Sequence, residues 1–493
     1  MSTIKKIKSF LFENKTTKQT IAKNTAWLSI SNFGGRLFKA IIIIYAARVL
    51  GAAGYGVFSY AVTLAGFFTL FTDPGVGAIL IREGSKASLE EQRLLFSASF
   101  LLKTVFVGLS VMLVLFVAPL FSTLPGAREL IPLVALIILF DSIRELFSSF
   151  FRMQEKMQWD AAAFLLANIG IAIIGFIFIN INPSPIYFGW AYVIGTMLGA
   201  IAAIWFMRHN IKHLFVHVPW SRLKSILSAA WPFAIMGALG ILFTNTDIII
   251  ISWMKTATDV GVYSAAIRII QVLYVIPMII QMSTLPVFAR FAGKNNVVFR
   301  QGLEKTLGLI FLISIPLSLG GAILGTSIMQ FVFGTPYAIG GLAFSILMLG
   351  LFFDYAAGVI SNAIFAYNHQ KSLIASSAIG GTANIVLDVI LIPIFGIAGS
   401  AIATLIAQIL SNTYLWYAMK RINPFSVLPH VKKIFASGIV MAAITITLAL
   451  LHVNVIINIA ISGSVYCVML LALRENLLFE MKNILFGEKA EAV

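Results

Sequence analysis

The chain has 493 residues, 59% of them hydrophobic and only 11% charged, with a mean hydropathy of +0.95. That balance excludes a soluble globular protein and reads as an integral membrane protein, because the apolar runs far exceed what a core of this length needs. A formal net charge of +16 would suit nucleic acid, but the charges fall in regular clusters between apolar runs, and the single cysteine, Cys467, excludes both a disulfide framework and a Cys-based metal site.

Residues 1–23 are basic and lack an apolar core of signal-peptide length, so they are expected to remain as a cytoplasmic N-terminus. The first six spans are predicted at 24–48, 55–81, 94–120, 130–152, 160–180 and 186–207. In span 1, Thr25, Ser29, Asn32, Arg36 and Lys39 recur at spacings of four and three, which lines them up as one polar stripe on a helix. Cations at that depth cost several kcal/mol and usually face a bundle interior or a wet cavity. Two uses of Arg36 and Lys39 stand side by side: holding a travelling anion, or neutralising acidic side chains elsewhere in the bundle. Lys103 in span 3 lies close enough to the inner surface to snorkel. Asp141, Arg144 and Glu145 in span 4 are spaced to neutralise one another along their own helix.

A cytoplasmic linker, 208–224, follows. Its His209, His213 and His217 have helical spacing, but without an acidic or Cys companion they do not read as a zinc site. The remaining spans are predicted at 225–253, 260–288, 303–325, 338–366, 372–393, 397–419, 433–451 and 454–473, ahead of a cytoplasmic tail, 474–493. Span 7 carries Asn245, Thr246 and Asp247, and span 8 carries Ser264, Arg268 and Gln271 on one face. Asp247 is placed either to pair with Arg268 or, with Asp388 of span 11, to hold a coupling ion; Asn384 lies one turn before Asp388. Asp354 in span 10 has no cation near it in sequence and is a candidate partner for Arg36 or Lys39.

With the N-terminus inside, 27 of the 35 Lys and Arg residues fall in cytoplasmic segments and only Arg48, Arg128 and Lys255 outside. A basic inner face beside anionic lipid explains the net charge, and no nucleic-acid partner is expected. The chain also repeats itself. YGVFSYA at 55–61 matches VGVYSAA at 260–266, and Asp141 in LFDSIRELFSSF matches Asp354 in LFFDYAAGVISN. Six spans separate the copies, so both halves enter the membrane in the same sense, as in parallel-repeat transporters. The predicted fold is therefore an all-α integral membrane protein of about 14 transmembrane helices: an N-terminal six-helix lobe (24–207), a pseudo-symmetric C-terminal six-helix lobe (225–423), and two additional helices within 424–473.

NTAWLSISNFGGRLFKAIIIIYAARVLGAAGYGVFSYA, DPGVGAILIRE, TNTDIIIISWMKTATDVGVYSAAIRIIQ and TANIVLDVILIPIFGIAGSAIATLIAQ resemble the polysaccharide-type flippases of the multidrug/oligosaccharidyl-lipid/polysaccharide exporter superfamily. The resemblance covers nearly the whole chain, through patterns of helices and turns rather than catalytic signatures. It implies two six-helix lobes around a central cavity whose cations meet the phosphate or diphosphate of a polyprenyl-linked sugar. On that reading Arg36, Lys39 and Arg268 bind phosphate; Ser29, Asn32, Asn245, Asp247, Gln271 and Asp354 line the cavity; and the cargo moves from the inner to the outer leaflet of the cytoplasmic membrane, as cell-surface (O-antigen-like) polysaccharide biosynthesis requires. Arg268 sits where the related peptidoglycan-precursor flippases place a cavity arginine. The expected partners are the lipid-linked glycan, membrane lipids and glycan polymerase or glycosyltransferase machinery; the chain is expected to be a monomer with no cofactor. The alternative is a cation-coupled multidrug or metabolite antiporter of the same superfamily. A membrane glycosyltransferase would need a large outer catalytic loop, and no nucleophile-and-base constellation marks an enzyme.

Overall fold

The computed structural model describes residues 17–208, 216–475 and 477. Those residues divide into two compact units, Met1–Gly261 and Val262–Val493.

The first unit opens with α1, Thr17–Thr72, a helical stretch of 56 residues. At 1.5 Å per residue this is far longer than one crossing of a hydrocarbon layer of roughly 30 Å, and it holds the first two predicted spans. They are separated at Gly51 (φ 69°, ψ 173°), a conformation that side-chain-bearing residues rarely adopt. The second span, expected to be continuous over 55–81, is interrupted again at Asp73, Pro74 and Gly75 before α2, Val76–Gly84. Pro74 brings no N–H and Gly75 takes φ 90°, so the helix stops and restarts. Next come α3 (Leu89–Phe116), α4 (Ala118–Phe121), α5 (Ala127–Met153), α6 (Met157–Ile181), α7 (Pro185–Met207) and α8 (Trp220–Met254). Ser88 caps α3 by accepting the Glu91 N–H (3.4 Å), and Glu90 and Glu91 in the first turn complement the helix dipole. Ser184, followed by Pro185, does the same for α7.

The core of this unit lies where α2, α3, α5 and α8 meet, around Ile79, Leu80, Leu95, Phe96, Phe147, Phe150 and Ile226. Phe96 meets Phe150 edge-on at 4.9 Å. On the opposite side of α3, Leu101, Val105, Leu109, Met112 and Phe116 recur at helical spacing and are all exposed, which is a lipid-facing stripe. Helices α6 and α7 approach backbone to backbone through Gly195 and Gly199, against Ala163 and Ala167.

Helix α8, assigned from sequence to the second lobe, packs with the first unit. Arg222 at its start pairs with Glu91 of α3. At its other end Thr123 donates to the Ser252 carbonyl (2.8 Å) and Trp253 to the Phe121 carbonyl (3.1 Å). The first compact unit extends to Gly261.

The predicted span 8 is two helices, α9 (Ala257–Leu273) and α10 (Val275–Phe291), that meet in a bend at Tyr274, whose backbone stays helical (φ −63°, ψ −11°) ahead of Pro277, which brings no N–H. Most of α9 belongs to the second unit, with α10, α11 (Asn296–Ile323), α12 (Gly325–Phe333), a 3₁₀ turn (Thr335–Gly340), α13 (Gly341–Ala366), α14 (Gln370–Phe395), α15 (Ile397–Ile422), α16 (Leu428–Leu450) and α17 (Val455–Ala472). Helix α13 is packed on by α10, α11 and α15. The two additional helices dock through α11: α16 packs on it, and Tyr466 of α17 donates to the Leu312 carbonyl at 2.9 Å. Asn458 joins α17 to α16 by donating to the Thr445 carbonyl at 3.1 Å.

Ten stretches among the described residues are long and apolar enough to cross a membrane, and Lys23–Thr72, at 50 residues, has length for two crossings. Helices α5 and α15 are less apolar, α5 alone carrying Asp141, Arg144, Glu145 and Arg152, and α8 is a further helix of 35 residues. With them the architecture is consistent with fourteen spans, and the all-α, multi-pass fold stands.

Candidate functional site

Two polar constellations occupy the first unit. On α1, Gly34 and Gly35 turn toward Leu165 and Phe164 of α6, which fixes the helix face that packs inward. Thr25, Ser29 and Arg36 are exposed on another face, and Asn32 and Lys39 are partly so. The predicted stripe therefore exists as a surface of this unit. Asn32 bonds back to the Leu28 carbonyl of its own helix at 2.8 Å. Lys39 Nζ lies 5.2 Å from the centre of the Tyr192 ring on α7, a cation–π distance. No carboxylate described in this unit lies within ion-pair distance of Arg36, so an anion approaching α1 meets a guanidinium whose charge no acidic side chain there offsets. Asp247 and Thr246 are buried on α8. The side chain of Asn245 lies outside the described residues.

The second constellation is structural. Arg144 binds Asp141 through Nε (3.0 Å) and Nη2 (2.8 Å), and it lies 3.5 Å from Glu145. Glu145 in turn accepts Arg152 Nη1 at 2.9 Å, and Arg152 Nε donates to Asp160 at 2.7 Å. Asp141, Arg144 and Glu145 neutralise one another along their own helix, as their spacing led one to expect, and Arg152 and Asp160 carry the chain of alternating charge on to α6. Lys103 departs from expectation. It does not snorkel: it is buried, with Nζ 2.9 Å from Asp73 Oδ2. Asp73 also accepts the Gly77 N–H (3.0 Å), so one carboxylate caps α2 and holds the ammonium of α3 at the break.

In the second unit, Arg268 Nη1 donates to Gln271 Oε1 at 2.8 Å, along the face on which the sequence places both. Arg268 Nε is buried with no hydrogen-bond partner. Asp354, the candidate partner of Arg36 or Lys39, has three donors within its own unit: the Tyr274 hydroxyl, Gln408 Nε2 (2.7 Å) and Asn412 Nδ2 (3.3 Å). All three donors are neutral. Asp388 is fully buried on α14, and Asn384, one turn before it, donates to Thr404 of α15 at 3.3 Å. Sequence reasoning missed Tyr274, Thr404, Gln408, Asn412 and Asp73. Neutral polar residues are common in helices, and each of these reaches its partner across a tertiary contact. The one available signal was that Asp354, Gln408 and Asn412 all lie inside apolar spans.

Of the linker histidines, His217 is exposed, and His209 and His213 lie outside the described residues. No group of three or more His, Cys, Asp or Glu among the described residues is arranged to hold a metal ion.

Residues 21–292 match the family described as polysaccharide biosynthesis protein. The chain is 24% identical over 422 residues to a Shigella flexneri protein assigned as an O-antigen transporter, covering 82% of this chain and 98% of that one. It is 23% identical over 402 residues to a Haloferax volcanii protein assigned as the low-salt glycan biosynthesis flippase Agl15, covering 78% of this chain and 80% of the relative. Its fold is similar to that of the lipid II flippase MurJ in an inward closed conformation, with a TM-score of 0.77 at 21% identity over 91% of this chain and 99% of that one. The helical architecture, the polar stripe within an apolar span and a match over more than half the sequence converge: the chain belongs to the polysaccharide biosynthesis protein family of membrane transporters.

Proposed function

We propose that the protein is a flippase that carries a polyprenyl-(di)phosphate-linked oligosaccharide from the inner to the outer leaflet by alternating access, with Arg36, Lys39 and Arg268 meeting the phosphates. One observation carries the reading: Arg36 is exposed in the middle of an otherwise apolar span, with no carboxylate of its unit to neutralise it. A cation so placed is costly unless an anion or water meets it. Ser29, Asn32 and Gln271 supply neutral hydrogen bonds beside the cations, and the buried carboxylates Asp247 and Asp388 are the candidates for a coupling ion. The relatives assigned to O-antigen transport and glycan flipping support the same class of cargo. Both termini are proposed to be cytoplasmic, following the basic inner segments. Glycan polymerase or glycosyltransferase machinery is the proposed partner, and the working unit is a monomer. No enzymatic step is required.

The test is reconstitution into liposomes with a fluorescent polyprenyl-diphosphate oligosaccharide, measuring exchange between leaflets for the wild type and for Arg36→Ala, Lys39→Ala and Arg268→Ala. Each charge-assisted hydrogen bond to phosphate is worth about 1.5–3 kcal/mol, so each variant is expected to lose roughly ten- to a hundredfold in exchange at limiting substrate. Undiminished exchange in all three folded variants would sink the anion site. Transport of cationic dyes in place of the lipid-linked glycan would replace it with the antiporter.

A further inference from the structure

The matching spans of the two halves both carry a disturbed helix: span 2 is broken at Asp73–Gly75, and span 8 bends at Tyr274, about one turn earlier in the repeat register. Interruptions in corresponding repeat helices are where transporters of this kind place ion and substrate chemistry. The two breaks are held by different chemistry. In the first unit the lock is ionic, Asp73 binding both Lys103 and the Gly77 N–H. In the second it is a carboxylate among neutral donors. Tyr274, at the break itself, donates to Asp354, while the next residue of α13, Tyr355, donates at 2.6 Å to Leu273, the last residue of α9. One turn and two turns further along α13, Gly358 gives the Gln281 side chain of α10 room to approach, and Asn362 donates to the Gln281 carbonyl at 2.9 Å.

We propose that Asp354 is a proton-binding site, and that its ionised carboxylate latches the break in span 8 through Tyr274. Asp73 is paired with a cation; Asp354 has a hydroxyl and two amides. When a proton binds Asp354, one carboxylate oxygen becomes a donor and needs an acceptor. That acceptor is present. Gln408 Oε1, on the amide that already touches Asp354, is buried beside Gly350 without a hydrogen-bond partner. After rotation of the amide, protonation exchanges the bond that Asp354 accepts from Gln408 for one that it donates to Gln408 Oε1, the Tyr274 hydroxyl loses its charged acceptor, and the anchor of the first turn of α10 weakens. Arg268 lies less than two turns before the break on α9, so the angle of the break governs where its guanidinium is presented.

The titratable neighbours are few. Tyr274 and Tyr355 are the ionisable groups at the carboxylate. Helix α15 presents the amides of Gln408 and Asn412, its Tyr414, Tyr417, Lys420 and Arg421 lying further along the helix. The part of α11 that packs on Phe352 through Phe311 contains no ionisable side chain. Arg268 of α9 bonds Gln271, Asp388 of α14 lies one turn after Asn384, which donates to Thr404, and Tyr337 of the 3₁₀ turn meets the Phe333 ring.

The experiment needs no cargo, so it fails or succeeds separately from the flippase reading. Infrared difference spectra between neutral and acid pH, taken on the full chain in lipid, are expected to show a buried carboxylic-acid carbonyl band that Asp354→Asn removes. Hydrogen exchange at the amides of Val275–Met278, corrected for its intrinsic pH dependence, is expected to rise at acid pH in the wild type. It should be fast at both pH values in Asp354→Asn and in Tyr274→Phe, while Tyr274→Phe keeps the infrared band. Should Asp354→Asn fail to fold, Asp354→Glu is expected to shift the band without abolishing it. A band that survives Asp354→Asn unchanged, a band unmoved by Asp354→Glu, or α10 exchange independent of pH in the wild type overturns the proposal.

Discussion

An ion pair sealed among helices contributes modestly by being present and costs a great deal when half of it is removed, because the surviving charge keeps its burial and loses its partner. Lys103 with Asp73 is such a pair, and Asp73 also caps α2. Asp73→Asn is expected to lower stability in detergent by about 3 kcal/mol, read from thermal unfolding, whereas Asp73→Asn combined with Lys103→Met should recover part of that loss because no orphan cation remains. Equal losses in the single and double variants would show that the cap, and not the pair, is what matters. The pair was illegible in the sequence for a plain reason: a lysine near the end of a span looks free to snorkel until its partner, at a break in another helix, is known. Asp141 and Arg144 were legible because their partnership is written into a spacing of three on one helix. Arg36 and Lys39 were legible for a similar reason, since a polar stripe is a property of one helix. Asp354 fell between these cases. Its burial and its need for partners could be read, but its donors lie 54 to 80 residues away along the chain.

At the scale of the element, period and length found the spans, and backbone chemistry decided where they break. Spans 2 and 8 read as continuous apolar runs because a break at Asp73–Pro74–Gly75 or at Tyr274 costs the pattern only a residue or two. The repeat left a more specific mark. Gly56 of YGVFSYA and Gly261 of VGVYSAA, the same position in the two copies, face each other within the first unit. A Cβ on Gly56 would overlap the Ala257 carbonyl, and a Cβ on Gly261 the Ala52 carbonyl, so the contacts are mirrored through the duplication. Backbone carbonyls cannot rotate away as a side chain can. Gly56→Ala and Gly261→Ala are each expected to cost about 3 kcal/mol or more, seen as loss of monodisperse protein after extraction, while Gly66→Ala, which meets nothing within 4 Å, should be neutral or slightly stabilising. A tolerated Gly261→Ala would remove the close approach from the account. The placement of α8 is the complementary lesson: the linker marks where the chain is polar, but Arg222, Ser252 and Trp253 determine which bundle the next helix joins.

For the molecule as a whole, composition and charge distribution dictate an all-helical membrane protein, and on the proposed flippase reading the next question is what charge travels with the cargo. A diphosphate moving outward is favoured by an inside-negative potential, each elementary charge crossing 100 mV being worth about 2.3 kcal/mol. Cations that move with the phosphate subtract from that charge. If Arg36 accompanies the cargo through part of the field, replacing it with Gln weakens binding and at the same time leaves the moving complex more negative. Two readouts then go in opposite directions: exchange at zero potential falls, and its dependence on potential steepens. A residue whose role is only structural lowers the rate and leaves the voltage slope alone. Liposomes holding a potassium diffusion potential across a graded series of voltages separate the two cases. The expected result is a steeper slope for Arg36→Gln than for wild type and an unchanged slope for Gly66→Ala. A slope unchanged or shallower in Arg36→Gln would mean that the exposed guanidinium of α1 meets the cargo without travelling with it, or does not meet it at all.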